Sequence, residues 1–184
     1  VVHKLRTGGY DGKGVQIIKD EAALKNSFQA PSIIEACIPF SKELSVIVAR
    51  NEQGQTKCFP LVECEFNPEA NLVEFLFSPA AVSTEIENKA QQIAIDIIEK
   101  LDMIGLLAVE FFLTTENTLL VNEIAPRPHK SGHHTIEVCQ SSQFEQHLRA
   151  ITGLPLGSTK SNGFSGMLNL LGAEGFSGPA KYEG

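Results

Sequence analysis

The sequence predicts an α+β fold, with a mostly antiparallel or mixed sheet and few helices. Short apolar stretches separated by Asn, Gly and Pro turns recur through the first part of the chain, as is typical of strands joined by tight connections. Only one long segment, residues 84–102, has clear helical spacing. A doubly wound parallel sheet would require more helical crossovers, which disfavours that fold class.

The amino-terminal part of the chain is predicted to form short strands on either side of a glycine-rich loop. Apolar stretches at residues 1–5 and 15–18 flank the loop, and Asp20 is placed to cap a short helix that ends near Ser27. Further strands are predicted at residues 32–37, 44–50, 57–65, 72–77 and 167–171. Most connections between them are too short for a helix, which favours antiparallel pairing.

The long helix is predicted from apolar residues that recur every three or four positions. These residues are Ile86, Ala90, Ile93, Ala94, Ile97, Ile98 and Leu101. Thr84, with Glu87 three residues later, has the form of a capping box. Ser142 and Glu145 repeat this pattern for a second helix, which is expected to end near residue 152. One face of the long helix should pack on the sheet.

A hairpin is predicted where two apolar stretches, residues 106–113 and 119–121, lie on either side of a polar turn. Phe111 and Phe112 in the first stretch are expected to be core residues. With the turn centred between the stretches, Glu110 stands opposite Glu123, within about one residue. Like charges directly opposite each other are destabilising unless something lies between them.

A divalent cation would remove this conflict between Glu110 and Glu123. Ligands that are all oxygens favour a hard ion, and Mg²⁺ typically binds one or two carboxylates together with substrate phosphates. The hairpin therefore suggests a site for a nucleoside triphosphate. The alternative is that one acid faces solvent while the other forms a salt bridge.

The glycine-rich loop between the first two strands has the features of a phosphate-binding flap. Four glycines lie within the seven residues from Gly8 to Gly14, and such a backbone can present successive N–H groups to an anion. Lys4 and Lys13 add positive charge. The spacing does not match a P-loop, and the loop joins two strands without opening a helix. The alternative is a hairpin tip that binds no ligand.

The densest group of polar residues follows the second hairpin strand. It comprises Asn122, Glu123, Arg127, His129, Lys130, Ser131, His133 and His134. A buried strand gives such residues a rigid support, so chemistry is expected here. His129 and His133 are four residues apart, which also allows a zinc site. There is no HExxH motif, however, and Pro126 and Pro128 disfavour a helix at this point.

Composition limits the possible partners and the compartment. A net charge of −7 argues against nucleic acid as the main partner. No stretch is apolar and long enough to span a membrane, and no signal peptide is recognisable. The four cysteines form no CxxC pair, which predicts reduced thiols and a cytoplasmic protein. The chain opens directly in a strand without Met, so it is expected to be a piece of a longer protein.

Four motifs, in order, carry a resemblance to a known family. They are K-L-R-T-G-G-Y-D-G-K-G at residues 4–14, V-N-E-I-A-P-R-P-H at 121–129, S-G-H-H-T at 131–135 and S-Q-F-E-Q-H-L-R-A at 142–150. The chain resembles the 5-(carboxyamino)imidazole ribonucleotide synthases, the PurK type of ATP-grasp enzyme, from Lys4 to about residue 172. The resemblance implies an ATP-grasp fold that holds a nucleotide between two lobes, here residues 1–42 and 43–184. Further amino- and carboxyl-terminal parts of the enzyme would lie outside this chain.

The resemblance also implies a reaction and its ligands. Such an enzyme uses ATP and Mg²⁺, with Mn²⁺ as an alternative ion, to join bicarbonate to 5-aminoimidazole ribonucleotide through carboxyphosphate in de novo purine biosynthesis. Family members are commonly homodimers. The implied metal ligands are Glu110 and Glu123. The implied nucleotide-binding residues are Lys4, Gly9, Tyr10, Asp11, Gly12, Lys13, Gly14, Glu35, Ile38, Glu43, Asn122 and Glu123.

Arg127 and His129 are the implied catalytic residues, and a planar guanidinium at Arg127 suits bidentate contact with transferring phosphoryl or carboxyphosphate groups. Lys130, Ser131 and His133 match positions at which members of the family bind their substrates. Lys130 replaces the Asn that the family commonly has. Two other functions stay open: another ATP-grasp ligase or carboxylase, and a nucleotide-binding module without catalysis. The piece alone is expected to have little or no activity.

Overall fold

In a computed structural model, residues 1–9, 14–67 and 72–170 of the chain are described, and their strands form two sheets in which every pairing is antiparallel. The smaller sheet has three strands in the order β2-β1-β3. Its elements are β1 (Val2–Leu5), β2 (Val15–Ile17), helix α1 (Glu21–Leu24) and β3 (Ser32–Glu35). The predicted cap is confirmed, because the Asp20 side chain accepts a hydrogen bond from the N–H of Ala23 at 2.9 Å.

The larger sheet has seven strands in the order β10-β7-β6-β4-β8-β9, and β5 pairs with β4 beside this path. Its strands and helices are β4 (Phe40–Arg50), β5 (Thr56–Cys58), β6 (Val62–Asn67), β7 (Leu72–Ser78), α2 (Thr84–Lys100), β8 (Gly105–Thr114), β9 (Leu119–Ala125), α3 (Thr135–Val138), α4 (Gln143–Ile151) and β10 (Ser165–Leu168). This arrangement confirms the predicted α+β class. Among the described residues, no helix is long and apolar enough to cross a membrane.

Helix α2 covers one face of the larger sheet, while α4 packs on the other face, which also carries the polar residues of the site. Ala90, Ala94 and Ile98 are fully buried against the sheet, and the small alanines allow the helix to approach it closely. Successive residues of a strand point to opposite faces. Leu44 in β4 therefore packs towards α2, whereas its neighbour Ser45 points to the face that carries the functional site.

Several predicted boundaries differ from the structure for local reasons. The strand predicted at residues 57–65 is two strands, β5 and β6, because Pro60 between them has no N–H to donate to a ladder. The cap of α2 is Ser83 and not Thr84, since the Ser83 hydroxyl accepts from the N–H of Ile86. Leu101 follows the last helical turn and is 54% exposed, so its predicted place on the packed face is wrong.

Other elements are shifted in length. Helix α1 ends three residues before the predicted position, β9 continues four residues beyond it, and β10 begins two residues before it. Helix α3 and the 3₁₀ turn Lys130–Gly132 had no pattern that predicts them, because both are shorter than two turns. The predicted cap of α4 is confirmed: the Ser142 hydroxyl accepts from the N–H of Glu145 at 3.2 Å.

Candidate functional site

A cleft of about 530 Å³ lies between the smaller sheet and the face of the larger sheet that α2 leaves open. Strands β1, β2 and β3 line it on one side, and β4, β6, β8 and β9 line it on the other. The cleft brings together seven of the residues predicted for nucleotide or metal binding, namely Lys4, Glu35, Ile38, Glu43, Glu110, Asn122 and Glu123. Residues far apart in the sequence thus meet in one place.

Lys4 links the two sides of this cleft. Its ammonium group lies 2.8 Å from a carboxylate oxygen of Glu35 on the neighbouring strand β3 and donates a hydrogen bond to Oδ1 of Asn122 at 3.0 Å. Asn122 belongs to β9 of the larger sheet. The lysine is mostly buried, with 18% of its side chain exposed. A positive charge is therefore held at the centre of the cleft, where an anionic ligand can reach it.

The predicted register of the hairpin is confirmed, with Glu110 directly opposite Glu123. A β-bulge follows at once, because Phe111 pairs with Val121 and Asn122 has no partner in the ladder. In a regular strand, Asn122 and Glu123 would point to opposite faces. The extra residue changes this alternation, so both side chains line the cleft.

Three carboxylates face this part of the cleft, and their charges act on one another. Burial, and then the charges of Glu123 and Glu43, raise the pKa of Glu110 to about 7, against smaller lowering effects of Arg127 and Lys4. Burial, and then the charge of Glu123, raise the pKa of Glu43 to about 7. A cluster of this kind binds a proton or a cation more readily than separate acids do.

The acids fit a hard divalent cation that has other ligands as well. Glu110 and Glu123 supply oxygen atoms, the ligand type that Mg²⁺ prefers. Within the part of the chain that the structure describes, no three His, Cys, Asp or Glu side chains are grouped so as to hold a metal by themselves. The remaining ligands would have to come from a bound molecule such as a phosphate or from water. The predicted zinc alternative at His129 and His133 has no such group either.

His129 lies against the acid cluster with both ring nitrogens engaged. Its Nε2 is 3.1 Å from Oε1 of Glu110, and its Nδ1 is 3.0 Å from the Ser131 hydroxyl. Burial, and then the charges of Arg127, His133 and Lys130, lower the pKa of His129 to about 4. The ring is therefore neutral near pH 7, and its contact with Glu110 is a hydrogen bond from a neutral donor and not an ion pair.

The backbone around His129 is held by a buried side chain, that of Gln143. The His129 N–H donates to Gln143 Oε1 at 2.9 Å, and Gln143 Nε2 donates to the His129 carbonyl at 2.8 Å. The Gln143 N–H in turn donates to the Thr135 hydroxyl. Gly132 lies so close that a Cβ there would be 2.3 Å from Ile47 and 2.7 Å from Gln143. Nothing in the sequence marks Gln143 or Gly132 for this role beyond their place in the motifs.

The other residues predicted for catalysis and substrate binding lie around His129 with different exposure. Arg127 is exposed, and its guanidinium donates a hydrogen bond to the carbonyl of Pro128. Lys130 is half-buried, and His133 is exposed with its ring 5.9 Å from that of Phe144. Ser131 is buried, and its hydroxyl is used within the protein. Arg127 and His133 are thus the ones most accessible to a substrate.

The glycine-rich loop is described only in part. Gly9 is exposed, and Gly14 has a φ of +87° with its carbonyl accepting from the N–H of Leu5. The other predicted phosphate-binding residues of the loop, Tyr10, Asp11, Gly12 and Lys13, lie outside the described residues.

Phe112 is not a core residue as predicted, because it points into the cleft. Its ring stacks on that of Phe40, with 4.5 Å between centroids and 10° between planes. Phe66 lines the same cleft. The continuous apolar sequence of β8 predicts that both phenylalanines are buried. Because successive residues of a strand point to opposite faces, only Phe111 packs towards α2. The cleft therefore has an aromatic wall beside its charged groups.

Comparisons with known proteins show which family this chain belongs to. The family model described as the ATP-grasp domain matches residues 1–144 of this chain. The N5-carboxyaminoimidazole ribonucleotide synthase of Bacillus subtilis is 46% identical over 178 residues, which are 94% of this chain and 46% of that protein. The chain therefore spans about half the length of the curated relatives it matches.

Solved structures show the same similarity. The N5-carboxyaminoimidazole ribonucleotide synthetase of Thermotoga maritima has a TM-score of 0.84 at 44% identity, over 95% of this chain and 45% of that one. The N5-carboxyaminoimidazole synthase of Aspergillus clavatus, solved with ADP and 5-aminoimidazole ribonucleotide, has a TM-score of 0.84 at 33% identity, over 94% and 46%. The similar region therefore extends over nearly the whole chain.

Proposed function

Because this chain belongs to the ATP-grasp family, we propose that it is the ATP-grasp part of an enzyme that makes N5-carboxyaminoimidazole ribonucleotide. The complete enzyme would convert ATP, bicarbonate and 5-aminoimidazole ribonucleotide into that product, ADP and phosphate. It would be a cytoplasmic enzyme of de novo purine biosynthesis. The observation that carries the proposal is the cleft between two sheets, where Lys4 faces a group of three carboxylates.

We assign the nucleotide to this cleft by the chemistry of its walls. The ring of Phe112, stacked on Phe40, offers an apolar surface for a flat base, and the segment from Glu35 to Ile38 runs beside it. Glu43, which lines the same cleft, would accept hydrogen bonds from the ribose hydroxyls. Lys4 and the glycine-rich loop would bind the phosphates. They belong to the proposed flap lobe, residues 1–42, whose last residues already lie in β4, and the rest of the chain, residues 43–184, is the proposed metal and substrate lobe.

Glu110 and Glu123 would hold the Mg²⁺ ion, with the Asn122 amide beside them. When bound, the ion neutralises charge on the phosphate oxygens. The Arg127 guanidinium donates to the carbonyl of Pro128, and its charge also acts on Glu110. We propose that it stabilises the negative charge that develops when a bicarbonate oxygen attacks the γ-phosphorus and ADP leaves.

The second half of the proposed reaction takes place beside His129. The amine nitrogen of the ribonucleotide would attack the carbonyl carbon of carboxyphosphate, phosphate would leave as the new C–N bond forms, and the departing phosphate would take up the proton that the nitrogen gives up. The exposed Arg127 and His133 and the half-buried Lys130 supply donors near His129, whose pKa their charges lower. Ser131 would act through His129, because its hydroxyl bonds to the ring and not to the cleft.

The test is phosphate release by the complete enzyme with ATP, Mg²⁺ and bicarbonate, in the presence and absence of 5-aminoimidazole ribonucleotide. We expect release that depends on the ribonucleotide and yields one phosphate for each carboxylated product. Phosphate release that does not depend on the ribonucleotide would indicate another ATP-grasp ligase with a different substrate. Nucleotide binding without any release would indicate a binding module.

Mg²⁺ affinity is expected to fall as the pH falls from 8 to 6. The pKa of Glu110 is about 7, so the proton competes with the ion over this range, whereas an ordinary exposed glutamate stays ionised throughout. For one carboxylate of this pKa, ionisation falls from roughly nine tenths to one tenth, and the affinity should fall about tenfold. Calorimetric titration of the ligand-free enzyme with MgCl₂ measures this, and equal affinity at both pH values would contradict the assignment.

A further inference from the structure

Two buried hydroxyl groups lie beneath the candidate site without contacting the cleft. Ser45 and Ser131 are each 2% exposed, and their hydroxyl oxygens are 2.8 Å apart. Ser45 lies in β4 directly opposite Glu110 of β8, and Ser131 lies in the 3₁₀ turn after His129. A buried hydroxyl must be hydrogen-bonded to avoid a large desolvation cost. These two are joined to each other and to His129.

The direction of the hydrogen bonds follows from a single backbone group. The N–H of Ser131 points at Nδ1 of His129 at 3.4 Å, and this ring nitrogen caps the 3₁₀ turn. A backbone N–H can only donate, so Nδ1 must be an acceptor. The ring hydrogen is therefore on Nε2, which is the nitrogen that faces Oε1 of Glu110.

The hydroxyls then have only one consistent arrangement. The Ser131 hydroxyl is 3.0 Å from the same Nδ1, so it donates its hydrogen there. Its oxygen is left to accept the hydrogen of the Ser45 hydroxyl. The result is an unbroken series of donors from Ser45 through Ser131 and His129 to Glu110. Each member orients the next, and such series are cooperative in a buried setting.

We propose that the hydroxyls of Ser45 and Ser131 are positioning groups that reinforce the His129 tautomer set by the Ser131 N–H, and thereby orient the metal-binding carboxylate of Glu110. The Nε2–H of His129 takes one lone pair of Oε1 of Glu110, which makes Oε2 the more accessible oxygen for the cation. Groups that hydrogen-bond to a metal ligand in this way typically change metal affinity by about 10- to 100-fold when they are removed. The effect on cation binding rests on the proposed function. The assignment of the His129 tautomer is independent of it.

The first measurement uses ¹⁵N NMR of the imidazole ring of His129 in the complete, ligand-free enzyme at one fixed pH. The wild-type ring is expected to show an unprotonated Nδ1 and a protonated Nε2. In Ser131→Ala only the long contact from the backbone N–H, at 3.4 Å, still holds Nδ1 as an acceptor, and in Ser45→Ala no second hydroxyl directs the Ser131 hydroxyl towards Nδ1. In both variants the nitrogen resonances should therefore move towards the averaged position of exchanging tautomers. Ser45→Thr keeps the hydroxyl and suits a strand, so it should restore the wild-type positions.

The matched control is Ser78→Ala, another buried serine in a strand of the same sheet, whose hydroxyl has no partner among the described residues. It should leave the His129 resonances unchanged. The second measurement is Mg²⁺ affinity, which should fall about tenfold in Ser45→Ala and recover in Ser45→Thr.

Three outcomes overturn the proposal. Unchanged His129 resonances in both alanine variants would show that the serines satisfy only each other. A changed tautomer with unchanged Mg²⁺ affinity would break the link to Glu110. Equal effects of Ser78→Ala would show a general loss of packing. Failure of the proposed reaction is seen separately, because the NMR measurement needs neither ATP nor 5-aminoimidazole ribonucleotide.

Discussion

Glu123→Gln is expected to lower ATP-dependent phosphate release by about 100-fold or more, while the ligand-free protein becomes more resistant to unfolding. Loss of a metal-binding carboxylate removes several kcal/mol of charge stabilisation in the reaction, and each 1.4 kcal/mol is about tenfold in rate. The same carboxylate raises the pKa of both Glu43 and Glu110 by its charge. A neutral amide ends that repulsion when no cation is bound, so activity and stability change in opposite directions.

The measurement is phosphate release at saturating ATP together with thermal unfolding of the ligand-free enzyme with and without MgCl₂. Mg²⁺ should stabilise the wild type and have little effect on Glu123→Gln. Glu116→Gln is the matched control, because Glu116 is an exposed acid in the turn of the same hairpin and should change neither quantity. If Glu123→Gln lost activity and stability together, Glu123 would be a structural residue and the metal assignment would be wrong.

Gln143→Ala is expected to lower both stability and phosphate release, whereas Gln146→Ala should lower stability alone. Both glutamines are fully buried in α4, and each bonds to the N–H and carbonyl of one loop residue. Gln143 holds His129, and Gln146 holds Gly157 in the same way. Removing either side chain leaves two backbone groups without partners, at a cost of about 2–4 kcal/mol.

Only the Gln143 variant loosens the loop that places His129 against Glu110, and a displacement of about 1 Å there can cost roughly 100-fold in rate. The two variants should be compared at a temperature at which chemical denaturation shows both to be folded. Activity per folded molecule should then fall in Gln143→Ala and stay near the wild-type value in Gln146→Ala. An equal fall in both would attribute the loss to general destabilisation of α4.

The parts of the site that depend on local pairing could be predicted from the sequence. Glu110 and Glu123 lie in one hairpin, so the turn length between them was enough to place them opposite each other, as the structure confirms. The caps at Asp20 and Ser142 are equally local, since each side chain bonds to an N–H three residues later. Such features follow from neighbouring residues alone.

The parts that depend on irregular backbone or on distant residues could not. The bulge at Asn122 interrupts the two-residue alternation on which strand predictions depend. No residue at this position is of a type that predicts a bulge. Ser45 is 86 positions from Ser131, so their hydrogen bond exists only once β4 and the loop after β9 have packed together. The prediction that Phe112 is a core residue is wrong because an apolar side chain can line a ligand cleft as readily as it can pack in a core.

The bridge formed by Lys4 sets how this cleft responds to ionic strength. In the ligand-free protein its ammonium group is already neutralised by Glu35 and bonded to Asn122. A phosphate that binds there must exchange with these partners, so its affinity is the difference between two ion pairs. Added salt weakens the Lys4–Glu35 pair that is lost and the Lys4–phosphate pair that is formed to a similar extent. Phosphate capture at this lysine should therefore depend only weakly on salt, unlike capture by an exposed, uncompensated cation.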